Sequence, residues 1–198
     1  MRAMEETTRA VPSAPTMKNV AFIALTLTLI PQVFWSLTQL FGGTPLNDLV
    51  RPFIFTGAFL AVLVTRGNVR FINRLARVVV AGAFMLALSS RFENFSGFIA
   101  YTGRVNSFLP TAIIPTIAVL ATIAEVLCCA AMLLGIGGWL APAASGVLLT
   151  MFATAMTISG MSQFDWAVFV LAAGSLTLAT VDTSLFSLDS VFMKNRKG

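Results

Sequence analysis

Glu125 stands at the centre of an apolar run, "ATIAEVLCCAAMLLG" at residues 121–135, with Cys128 and Cys129 one turn further on. An ionised side chain inside a bilayer costs roughly 2.5–3.5 kcal/mol on insertion scales, so this carboxylate needs a cationic partner or a proton. Paired, it would fix two helices in register. Protonatable, it could relay protons or hold a polar group of a substrate. At helical spacing Thr122, Cys128, Cys129 and Met132 share its face, a stripe expected to point into a helix bundle.

Arg77 and Arg91 bracket 13 uncharged residues, which cover roughly 20 Å of a hydrocarbon core about 30 Å thick. One of the two must therefore lie deep, snorkel or thin the bilayer, and a pair with Glu125 would satisfy both charges. In a functional reading Glu125 is the catalytic proton carrier, and Arg77 or Arg91 binds an anionic oxygen of a substrate. Cys128 and Cys129 are the only cysteines. Helix neighbours point about 100° apart, so a disulfide between them would distort the helix. They read either as small residues at a packing surface or as redox thiols exchanging electrons with a quinone or a partner. No cation stands beside them in sequence to lower a thiol pKa.

The residue inventory excludes other chemistry. The chain has no histidine, which removes the usual axial ligand of b-type haem and the commonest zinc ligand, so neither haem nor zinc is expected and no metal ligands are assigned. The lysines Lys18, Lys194 and Lys197 lie near the chain ends, which excludes a retinal Schiff base within a bundle. "GIGG" at Gly135–Gly138 lacks the spacing of a dinucleotide fingerprint and has no strand before it, so it reads as a turn between helices.

The elements that must position these residues are membrane helices. Of 198 residues, 57% are hydrophobic and 11% charged, against roughly 25% charged in an average soluble domain. Val20–Phe41 holds 22 residues without a charge, and no charge interrupts Val126–Phe164. The pattern predicts an all-α, polytopic transmembrane bundle of about six helices, near 20–41, 47–65, 73–92, 111–135, 139–160 and 165–186. The first is too long for a signal-peptide core and is read as retained, with Pro31 a kink. The second has 14 uncharged residues between Arg51 and Arg66, compatible with a span or with a re-entrant or interfacial helix. Residues 1–18, with Pro12 and Pro15, read as a disordered tail and 193–198 as a basic tail. The longest polar connection is Glu93–Pro110, too short for a soluble domain.

The net charge of +5 is explained by placement. Ten of the thirteen basic residues fall in the N-terminal tail, the Arg66–Arg77 segment and the C-terminal tail, and the remaining three are Arg51, Arg91 and Arg104. This asymmetry follows the positive-inside rule and predicts cytoplasmic termini in a bacterial inner membrane, with the lipid bilayer and not nucleic acid as the partner of the charge. "SSRFENFSG", residues 89–97, then lies at the outer face, either as solvated loop or as a binding mouth. Asp165 and Asp182 border the last helix, where Asp165 would favour the helix N-terminus, and Trp139 and Trp166 fit an interfacial aromatic belt.

In order, these motifs resemble the DoxX-like family of four-helix membrane proteins, which includes the small subunit of thiosulfate:quinone oxidoreductases. Arg77, Phe84 and Arg91 match the family's arginine, mid-helix aromatic and closing basic residue. "GFIAYTGRVNSFLP" matches its aromatic-rich loop ending in Leu-Pro, "AEVLCCAAMLLG" its helix with a mid-membrane glutamate, and "FSLDS" its C-terminal Ser-Leu-Asp. The resemblance covers residues 72–192, leaving 19–71 as an N-terminal addition of one or two helices. It implies a membrane subunit of a redox system linking thiol or sulfur oxidation to quinone, working with a protein partner that carries the electron cofactor. A non-catalytic anchor or assembly subunit of a larger membrane complex is the alternative, and a small transporter a third reading.

Overall fold

The computed structural model describes residues 14–159, 166–185, 187 and 188. These form α1 (Ala14–Phe41), α2 (Leu46–Val64), α3 (Arg70–Glu93), the short α4 (Phe95–Val105), α5 (Ile114–Leu134), α6 (Leu140–Ile158) and α7 (Ala167–Leu178), with no strand among the described residues. A single turn of 3-10 helix, Thr111–Ile113, leads into α5. The all-α expectation holds.

Met17–Phe41, Arg70–Glu93, Thr111–Leu134 and Leu140–Ile158 are long and apolar enough to cross a membrane. Their surfaces agree. On α1, Val20, Ile23, Leu27, Ile30 and Phe34 form a stripe at spacings of three and four residues, each at least 60% exposed, while Gln32 and Ser36 of the same helix are buried and bonded to each other at 3.2 Å. Apolar outside and polar inside is the arrangement that lipid selects, because only there do exposed leucines cost nothing and exposed amides cost much. The chain is a multi-pass membrane protein.

One core joins all the long helices. Leu25 and Leu29 of α1, Phe59 and Val62 of α2, Ala76, Val80, Phe84 and Leu88 of α3, Met132 of α5, Leu149 of α6 and Val170, Leu171 and Leu178 of α7 belong to a single buried cluster. The N-terminal pair of helices therefore belongs to the same packing unit as the rest. Short α7 lies at its centre against α1, α2, α3 and α6. Small residues make this approach feasible: a Cβ on Gly174 would collide with the Phe59 ring, and one on Gly146 would come within 2.6 Å of Leu176. Because neighbouring helices cover it, α7 does not need the length of a lipid-facing span. α2 is intermediate, with its apolar part Leu49–Val64 about 24 Å long.

Three expectations are corrected. The polar connection after Glu93 contains α4, so there are seven helices among the described residues rather than six. Asn94 starts α4 by accepting a hydrogen bond from the Gly97 amide at 2.8 Å, and Phe95, Phe98, Ile99, Thr102 and Val105 recur at helical spacing. α1 begins at Ala14, inside the tail expected to be disordered, with Pro15 in its first turn, where the missing N–H costs no helical hydrogen bond. α7 ends at Leu178 rather than near 186: Thr180 turns its hydroxyl onto the Thr177 carbonyl at 2.8 Å, and Asp182 accepts from the Ser184 amide at 2.9 Å, local bonds that replace helical ones. Pro31 lies within α1, whose helical assignment is continuous across it. Residues 1–13, Asp165, the basic tail and Asp189 of "FSLDS" lie outside the described residues.

The ends of α1, α2, α3 and α7 are tied together where Lys18, Arg66, Arg70 and Arg74 gather. Thr177 donates to the Ala21 carbonyl at 3.1 Å. Buried Asn73 donates to the carbonyls of Gly67 at 2.8 Å and Asp182 at 3.0 Å. Arg70 pairs with Asp182 at 2.7 Å. Bonds from the Ser184 side chain and backbone, with Arg70 beside it, hold the Asp182 carboxyl below its usual range. This is the basic end of the bundle, and the start of α1 and the end of α7 both lie there.

Candidate functional site

The two arginines of α3 take separate tasks at opposite ends of the helix. Arg77, 1% exposed, belongs to the basic end. Its guanidinium donates to the carbonyls of Ala131 at 3.0 Å, Met132 at 3.2 Å, Ile136 at 2.9 Å and Gly138 at 3.2 Å, and to the Thr183 hydroxyl at 3.0 Å. Arg74 adds bonds to Met132 at 3.0 Å and Leu133 at 2.5 Å. The last turn of an α-helix leaves carbonyls without amide partners and carries partial negative charge. Two guanidinium groups from α3 thus close the C-terminus of α5. Gly135 makes the geometry feasible, with φ of +72° and a Cβ position only 2.6 Å from Ser187. "GIGG" is the turn that the sequence indicates, and its carbonyls serve as ligands for Arg77. Arg77 does not line the cavity described below.

Arg91, in the last turn of α3, reaches back toward the bundle centre and pairs with Glu125 of α5. Glu125 is 1% exposed, and the Arg91 side chain 13%. The Arg91 guanidinium lies over the Phe98 ring of α4 at 4.0 Å from the centroid and 5.8 Å from that of Phe152 on α6. A guanidinium over an aromatic face gains electrostatic attraction that grows as water is excluded. One charge pair therefore links α3, α4, α5 and α6, and the expected ion pair between Glu125 and an α3 arginine is formed by Arg91.

The expected stripe on α5 faces inward, with Thr122, Glu125, Cys129 and Met132 buried and Cys128 half-buried. Both thiols are free. The Cys129 thiol donates to the Ala81 carbonyl of α3 at 3.5 Å, and Cys128 meets Ser145 of α6. They face two different helices, as a 100° separation requires, and neither lines the cavity beside Glu125.

That cavity has a volume of about 1030 Å³. Its walls are mainly apolar, from Phe84, Leu149, Phe152 and Leu171, and its polar groups include Arg91, Glu125 and Tyr101, with Ser89, Ser90 and Glu93 at its mouth. Arg51 of α2 also lines the cavity. Desolvation raises the Tyr101 pKa against the opposing influence of Arg91 and Arg104, so its phenol keeps its proton at neutral pH. Sequence reasoning found Arg91 and Glu125 but missed Phe98 and Tyr101. The signal for them was the Asn94 cap and the apolar spacing of α4, which aims both rings at one place. Ser89, Ser90, Arg91 and Glu93 of "SSRFENFSG" line this cavity.

Comparison of the chain with protein-family models, with curated proteins and with solved structures gave no match. The class is fixed by the fold alone: a multi-pass helical membrane protein with an ion-paired cavity at one end.

Proposed function

We propose that this protein is a membrane subunit of a redox system, in a bacterial inner membrane with its basic end in the cytoplasm, and that the cavity binds a quinone. The observation that carries the reading is the mixed character of the cavity. A lipid-soluble molecule with a flat polar head and an apolar tail needs an apolar chamber with a few convergent polar groups, and here Arg91, Glu125 and Tyr101 converge beside the Phe98 and Phe152 rings. The resemblance to the DoxX-like family supports the same ligand class.

Reducing a quinone to a quinol takes two electrons and two protons. Arg91 has N–H groups beyond the one paired with Glu125 and can donate to a carbonyl oxygen as it gains negative charge. Tyr101 bears a proton and the Glu125 carboxylate can take one up and pass it on in the chamber, which opens at the Ser89–Glu93 mouth. Electrons come from a partner protein bearing a flavin or metal, or from a thiol or sulfur substrate oxidised on that partner. In the alternative, the protein is an anchor in which Arg91 and Glu125 serve packing only.

Phe98 separates the two readings, since its ring stacks on Arg91 and contributes no charge. Phe98→Ala should weaken binding of a short-chain ubiquinone analogue about tenfold, the loss of roughly 1–2 kcal/mol of aromatic contact, with expression and fold retained. Equilibrium dialysis of the detergent-solubilised chain against the analogue measures this. Wild-type affinity in Phe98→Ala would count against the quinone site.

A further inference from the structure

A second site lies at the basic end, where the first turns of α1 meet the turn between α2 and α3. A groove of about 680 Å³ is lined there by Lys18, Asn19, Arg66 and Asn68 at its head and by Phe22, Ile23, Leu27 and Leu63 along its length. We propose that this groove binds an anionic phospholipid, its phosphate held by Lys18 and Arg66 and its acyl chains along α1.

Charge complementarity selects the occupant. No acidic residue lines the groove, and among the described residues neither Lys18 nor Arg66 is in an ion pair. The nearby carboxylate of Asp182 is already engaged by Arg70 at 2.7 Å. The two amides can donate to phosphate oxygens, which cationic and amide groups together hold at membrane interfaces. Below this head Ile23 and Leu27 are 60% and 64% exposed, an apolar track that a soluble anion would leave uncovered and acyl chains would cover.

The head is also built rigidly. Arg66 is the one non-glycine with positive φ among the described residues, at +50°, and Gly67 follows at +66°. A Cβ on Gly67 would collide with Val181 and come within 3.3 Å of Phe22. The turn is thereby clamped between α1 and the segment after α7, with Arg66 at the groove. Lys18 is held in turn by its position over the Phe22 ring, 5.6 Å from the centroid. A zwitterionic phosphatidylcholine brings its own quaternary ammonium toward both cations, so it should bind less tightly than phosphatidylglycerol with the same acyl chains.

The test is native mass spectrometry of the delipidated full chain, titrated with each of these two lipids. Phosphatidylglycerol should be retained preferentially, and Arg66→Gln and Lys18→Gln should each weaken it about fivefold. Arg104→Gln removes one charge away from the groove and should leave it unchanged. Having two single variants keeps the test open if one of them folds poorly. Equal retention of phosphatidylcholine would overturn the proposal, as would an Arg104→Gln effect as large as that of Arg66→Gln. Inorganic phosphate displacing the lipid at comparable concentration would assign the site to a free anion and overturn it too.

Discussion

Arg91→Met should destabilise the bundle by about 3–5 kcal/mol, the cost of leaving one member of a buried charge pair without the other. Glu125 is more deeply enclosed than Arg91, so the loss falls on the residue with least access to water or lipid headgroups. Glu125→Leu leaves the arginine stranded instead and should cost less, because Arg91 lies at the cavity mouth and keeps the Phe98 face beneath it. The double variant Arg91→Met/Glu125→Leu should recover most of the stability of the wild type, since apolar residues of similar volume often replace a buried pair at little net cost. Denaturation of the four proteins in mild detergent yields the coupling energy directly. Additive losses would mean that the two charges do not depend on one another. Recovery of stability without recovery of ligand binding is the expected pattern, and it separates the packing role of the pair from its chemical one.

Arg77→Leu should be as damaging, for a different reason. Its guanidinium serves the carbonyls of Ala131, Met132, Ile136 and Gly138; Ala131 keeps the Gly135 and Ile136 amides as donors, but each hydrogen bond lost from a charged donor costs about 1.5–3 kcal/mol. Arg74 still reaches Met132 and Leu133, so the net loss should be on the order of 3 kcal/mol. Arg77→Lys should restore less than half of it, because one ammonium cannot reproduce a planar fork that spans a helix end and the turn beyond it. Thermal unfolding of the three proteins checks the order wild type, Lys, Leu. Equal stability of Lys and Arg at position 77 would show that only the positive charge matters. Quinone binding by the folded fraction of Arg77→Lys should be unchanged, since Arg77 lies at the opposite end of α3 from the cavity.

Much of this architecture is legible in the residues themselves. Long uncharged runs give the spans, and "GIGG" gives the turn before α6. The spacing of Arg77 and Arg91 identifies α3 as a helix with a charge at each end, and Glu125 demands a cation that only tertiary structure can choose. Sequence cannot assign that cation, because both arginines lie on α3 and their reach depends on the register of α3 against α5. The register is visible where Cys129 meets Ala81. It brings Arg77 to the last turn of α5 and leaves Glu125 to Arg91. α4 was hidden by its composition: serine, asparagine and glycine make "NFSGFIAYTGRVN" resemble a loop, although its apolar spacing is helical. The length of α7 was also obscured, since the threonines that follow it remain apolar enough to extend a hydropathy window but bond to their own backbone.

The central claim is that the cavity beside Arg91 and Glu125 binds a quinone. Its most direct test is the affinity of a short-chain ubiquinone analogue for the purified wild type and for Glu125→Gln, with unfolding temperatures measured in parallel. Glutamine preserves shape and a hydrogen-bond acceptor for Arg91 while removing the charge, so the variant should fold. The expected result is saturable binding of one analogue per wild-type chain and binding weakened about tenfold or more in Glu125→Gln, the loss of a charge-assisted contact of roughly 1.5–3 kcal/mol. Equal binding by both proteins, or none by an intact wild type, would contradict the claim and leave the carboxylate as a packing device in a membrane anchor.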